Sequence, residues 1–121
     1  MFETNRSEKD DLKAERIQDR LTAAELAGAP FTPDRIEVLV RGLPGWLPMQ
    51  NGRGIWRPFT FGTTDAAVAF VGLVAKIGQA ARHAVRLVMQ GKKVACFLDG
   101  GADKPMSFVD YKLARKIGLQ E

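Results

Sequence analysis

The sequence predicts an α+β domain: a four-stranded antiparallel sheet with three helices on one face, preceded by a charged N-terminal extension. Three observations carry that reading. From residue 32 onward the apolar periodicity runs in the order helix, hairpin, long helix, hairpin, helix. Two turn signals, Asn51-Gly52 and Gln90-Gly91-Lys92, each separate a pair of short extended segments. A chain of 121 residues that is 45% hydrophobic and 26% charged has the length and composition of one globular unit with a single core.

Residues 1–31 read as the extension. Leu12, Ile17, Leu21 and Ala24 are sparse apolar positions in a charge-dense stretch, a spacing that suits a partly ordered extension and also permits a narrow-striped helix over 7–28 that docks on the domain or a partner, and Gly28-Ala29-Pro30 breaks it. The domain proper is expected over 32–121. Thr32 is placed to cap a helix with Pro33 in its first turn and Asp34 at the positive end of its dipole, running to about Arg41 before Gly42.

After Leu43-Pro44-Gly45-Trp46 come two extended segments, Trp46 to Gln50 and Ile55 to Phe61. Ile55, Arg57, Phe59 and Phe61 share one face of the second and Trp56 and Thr60 the other. Pro48 and Pro58 each lack a backbone donor, which places them at an edge or facing away from a ladder. Thr63 or Thr64 caps the longest helix, Asp65 to Arg82, where Phe70, Val74, Ile77 and Ala81 repeat at helical spacing and Val68, Val71 and Ala75 widen the apolar surface.

Val85, Leu87 and Met89 alternate, as do Val94, Cys96 and Leu98, giving the second hairpin. Asp99 to Lys104, with two glycines, is a loop. Ser107 and Asp110 have the spacing of a capping box for a last helix to about Ile117, with Tyr111, Ala114 and Ile117 inward.

Composition excludes several function classes. The longest charge-free apolar run, Ala66 to Ala75, is ten residues, about half a bilayer span. Met1 to Arg6 offers no secretory signal, so a cytoplasmic location is expected. One cysteine and one histidine cannot supply the usual soft ligands of a zinc site, and no metal or cofactor is expected. Cys96 reads as a buried, inert thiol. Residues 1–29 carry five basic and seven acidic side chains, net −2, against a total of +4, so the rest carries +6. Scattered basic residues at that balance suit an acidic protein face better than nucleic acid.

Several strings resemble the pterin-4a-carbinolamine dehydratase family. They are Leu43-Pro44-Gly45-Trp46, Phe59-Thr60-Phe61, Ala69-Phe70-Val71 with Val74-Ala75, and Asp110-Tyr111-Lys112-Leu113-Ala114 with Ile117. In order and spacing they cover about residues 32–118, and the resemblance implies the family's four-stranded sheet and three helices. It also implies where catalytic imidazoles would stand. Family dehydratases carry an acid, three residues, then histidine-histidine-proline at the end of the long helix, and a third histidine after the last strand. Here Gln79, His83, Ala84 and Val85 fill the first set, and Gly101 stands about where the third imidazole belongs.

Dehydrating a carbinolamine needs one proton delivered to the leaving hydroxyl and another removed from nitrogen, work suited to paired imidazoles. A single histidine cannot fill both roles, so no enzymatic activity is expected. His83 is then a helix-end residue favoured by the negative end of the dipole, Asp110 a capping residue, and Tyr111, Trp46 and Trp56 core.

With its extension and the Pro30-Phe31-Thr32-Pro33 stretch, the chain looks like the dehydratase-like proteins of α-carboxysomes, which act as Rubisco assembly factors. That resemblance implies Rubisco subunits or an assembly intermediate as partner, with the possibility of carboxysome association, and a homodimer formed by joining sheet edges. Arg82, Arg86, Lys92 and Lys93 are the candidate contact residues. A pterin dehydratase with an altered site and a transcriptional dimerisation module stand as the alternatives.

Overall fold

The computed structural model describes residues 21–101 and 104–120. Its elements follow in the order α1 (Ala23–Leu26), α2 (Pro33–Val40), β1 (Leu47–Pro48), β2 (Ile55–Thr60), α3 (Thr64–Ala80), β3 (Arg86–Gln90), β4 (Lys93–Leu98) and α4 (Phe108–Gly118). The strands form one antiparallel sheet in the order β1-β2-β4-β3, so the two hairpins meet through β2 and β4.

Local sequence sets the starts of the helices. Thr32 Oγ1 accepts the Arg35 N–H at 3.3 Å with Pro33 next in the chain, and Thr63 Oγ1 accepts the Ala66 N–H at 3.0 Å. Both satisfy a donor that has no partner inside the helix. The N-terminal segment differs from the reading above. Thr22 and Glu25 form a capping box that starts α1 at Ala23, so no helix runs continuously through residues 21–28. The expected positions Leu12 and Ile17 lie outside the described residues.

Leu21 and Phe31 are buried in the core, and Arg35 Nε and Nη2 donate to Glu25 Oε2 and Oε1 at 3.0 and 3.1 Å. This forked pair ties α1 to α2 and, with the Thr22 N–H, holds the Glu25 carboxyl below its usual range.

The core lies between the helices and the inner sheet face, where Ile55 stands opposite Leu98 and Phe59 opposite Val94. Phe70, Val74 and Ile77 of α3 and Tyr111, Ala114 and Ile117 of α4 close over it. Phe59 and Phe70 pack with ring centroids 4.5 Å apart, and burial of each such side chain stabilises the fold by roughly 2 kcal/mol. Cys96 is fully buried, and burial pushes its thiol up to about 12.

Some expectations are corrected by what lies opposite each face. β1 is only two residues long, because the chain turns from Met49, whose N–H reaches the Gly54 carbonyl, and Pro48 offers no donor. β3 is an edge strand, so Met89 is exposed although it alternates in phase with the half-buried Leu87. Trp56 is not core: it stacks on Phe97 on the outer face of the sheet, centroids 5.8 Å apart. Val68, Leu73 and Ala75 of α3 remain exposed, so the broad apolar surface of that helix is covered on one side only. Among the described residues no helix is long and apolar enough to cross a membrane.

Candidate functional site

Helix α3 ends in a way that aims His83 across the fold. Arg82 takes φ 54°, a left-handed conformation, with its N–H donating to the Gln79 carbonyl at 3.0 Å and the His83 N–H to the Gly78 carbonyl at 2.9 Å. This is the paired bonding of a Schellman cap, built here on an arginine where glycine is the usual residue. The reversal of the chain brings His83 against the start of α4.

There His83 Nε2 lies 2.7 Å from Asp110 Oδ1, and Asp110 is completely buried. A carboxylate only accepts, so the imidazole N–H donates. The other oxygen, Oδ2, accepts the Ser107 N–H at 3.0 Å, the carboxylate half of the expected capping box. Asp110 therefore caps α4 and holds His83 at once. His83 is more than a helix-end residue: its side chain is 23% exposed and tied to a partner 27 residues away.

The two positions at which the family would carry further imidazoles come together. Ala84 and Gly101 line one cavity of about 300 Å³ with Arg86 and Asp99. Asp99 Oδ1 accepts the Gly101 N–H at 3.2 Å, and Asp99 Oδ2 lies 3.6 Å from Arg86 Nη2. Asp99 escaped the sequence reading; its signal is a turn-forming aspartate between the last apolar strand residue and two glycines. Buried Tyr111 follows Asp110, and burial raises its phenol, keeping it neutral.

The four basic candidates do not converge. Arg82 and Arg86 sit near His83, and the Arg86 guanidinium also covers the Phe97 ring at 4.1 Å. Lys92 and Lys93 are exposed at the other end of the β3–β4 hairpin, where Gly91 turns the chain at φ 62°. From Arg86 to Gln90, the residue paired with Lys93, the strand spans about 13 Å.

Fold and site together define a class: a four-stranded α+β domain with a histidine-aspartate pair between the long helix and the last helix. The family model for pterin 4 alpha carbinolamine dehydratase matches residues 29–119, and the chain belongs to that family. Among curated proteins none matches the sequence significantly. The structure is similar to a transcriptional coactivator/pterin dehydratase from Brucella melitensis, with a TM-score of 0.69 and 22% identity over 75% of this chain and 97% of that one. At that identity the likeness is one of fold.

Proposed function

We propose that this family member is a non-catalytic scaffold that acts as a Rubisco assembly factor. The observation that supports it is the makeup of the site: one imidazole, already held by Asp110, and a cavity lined by Ala84 and Gly101 where two more imidazoles would be needed. Losing a general acid or base typically removes a factor of roughly 100 to 10,000 each. What remains is a rigid domain whose residues 30–121 carry net +6, suited to steering an acidic partner and releasing it as salt rises.

The partner identity rests on the resemblance of the extension, the missing imidazoles and the Pro30 to Pro33 stretch to the α-carboxysome group. Dimerisation through β3 completes the proposal, since this five-residue edge strand presents unpaired backbone groups while β1 has only two residues. Light scattering should give about twice 13.3 kDa.

Co-expression with Rubisco large and small subunits and a chaperonin tests the function, with soluble assembled enzyme as the readout. Charge reversal at Arg82, Arg86, Lys92 and Lys93 should reduce assembly with the fold intact, and His83→Ala should change it little. If His83→Ala abolishes assembly and the reversals do nothing, the pocket is the functional site and the scaffold reading fails. The second reading, a dehydratase with an altered site, draws on the retained His83–Asp110 pair. Acceleration of carbinolamine decay by purified protein to the level of an ordinary dehydratase would establish it instead.

A further inference from the structure

Directly opposed residues of an antiparallel sheet share a face, so the strand register defines the side of this sheet turned away from the helices. One row crosses all four strands: Leu47, Trp56, Phe97 and Arg86. The next is Pro58, Ala95 and Val88, and the last is Thr60, Lys93 and Gln90. None of these is buried, and the apolar Leu47, Pro58 and Val88 are exposed. Ile55, Phe59, Val94, Cys96 and Leu98, which alternate with them along β2 and β4, are all buried. The outer face is an uncovered apolar patch on a sheet whose other face is core, and such patches mark interaction sites. Ala95 is the small residue at its centre. Between Pro58 and Val88 it leaves a hollow of about 220 Å³, below the size of a cofactor pocket and suited to one or two apolar side chains.

Three observations select the occupant. β2 and β4 are the inner strands of the sheet, paired on both sides, so their backbone groups are already spent in the ladders. A segment lying on them must satisfy its own backbone, which a helix does and an extended peptide does not. Trp56 and Arg86 reach Phe97 from the strands on either side of it, the indole stacked at 5.8 Å and the guanidinium 4.1 Å over the ring. Both faces of that ring are taken, so a nucleobase has none left to stack on there, which disfavours a single nucleic-acid strand. Arg86 and Lys93 are the charged residues of the three rows, which contain no acid. Asp99 meets Arg86 at 3.6 Å from beyond the end of β4 and leaves its side chain half-exposed. A second copy would bring the same positive charges against them.

We propose that the outer face binds an amphipathic helix of a partner protein, its apolar stripe over Pro58, Ala95 and Val88 and its acidic residues beside the stripe, toward Arg86 and Lys93. The two cations stand about 13 Å apart along the strands, some two turns of helix. The proposal does not depend on Rubisco as the partner, and its test contains none.

The ¹⁵N-labelled full-length protein carries its own reporters, since the Trp56 indole lies on this face and the Trp46 indole lies in the core. The probe is a blocked peptide of about 18 residues, long enough to be helical, with leucines at i, i+3, i+4 and i+7 and glutamates beside them. It should shift the Trp56 indole and Ala95 amide signals saturably and leave the Trp46 indole unmoved. Replacing its glutamates by glutamine should weaken binding about threefold or more, a difference lost at high salt. Ala95→Glu should weaken it about tenfold or more by putting a like charge into the hollow, and Val88→Glu, at an exposed position, gives the same test if Ala95→Glu does not fold.

No shift at millimolar peptide, equal binding of a scrambled peptide, equal binding of the glutamine peptide at low salt, or binding unchanged by either glutamate variant would overturn the proposal. Tighter binding of an oligouridylate would also overturn it, by making the face a nucleic-acid platform. So would two effects of Ala95→Glu without peptide: moved amide signals in residues 1–20, which would show the chain's own N-terminal residues seated there, or a changed oligomeric state, which would show a second copy there.

Discussion

Asp110 holds His83 at 2.7 Å with one carboxylate oxygen while the other receives the Ser107 N–H, so a single buried side chain joins the end of α3 to the start of α4. In a family whose chemistry uses imidazoles, this pair has a structural consequence that persists whether or not any chemistry does.

Asp110→Ala removes the cap of α4 and leaves two donors facing a site without an acceptor. The expected loss is roughly 2–4 kcal/mol, read as a lower urea midpoint with an unchanged slope. Asp110→Asn keeps an acceptor oxygen and should lose less. Equal losses for both variants would show that charge, and not acceptor count, holds the junction.

Arg82 adopts φ 54°, where a Cβ is strained, and it is exposed. Arg82→Gly should therefore stabilise the protein by about 0.5–1 kcal/mol, raising the melting temperature by about 4 °C. A fall in melting temperature would reveal a contact of the arginine side chain that outweighs the backbone strain.

Glu25 is held below its usual value near 4.5 first by its hydrogen bond to Arg35, against the opposing effect of burial. A depressed carboxyl contributes stability above its unfolded value and loses it as pH falls through the folded one. Urea titrations should show wild type exceeding Glu25→Gln at pH 7, with the gap closing below about pH 4.5. A gap that is constant with pH would mean that packing, and not the ion pair, carries the difference.

Cys96 is buried with its thiol pushed up to about 12, so almost no thiolate exists at neutral pH. A disulfide reagent should leave the native protein unmodified and label it at once in denaturant. Rapid labelling of native protein would show that β4 opens readily.

The sequence by itself determined the local features. Thr32-Pro33-Asp34 and Thr63 start α2 and α3 through bonds within a few residues, Gly91 turns the second hairpin, and alternation in Val94, Cys96 and Leu98 selects the inward face of β4. Only the tertiary structure decided what faces what. Periodicity names the apolar side of an element and not its neighbour, so it could not tell that β3 is an edge and Met89 exposed, that Trp56 stacks outside the core, or that Val68 and Leu73 stay uncovered. The His83–Asp110 bond and the passage of Arg57 between Gly45 and Gly118 each join residues distant in the chain, and their geometry depends on how two helices settle on one sheet.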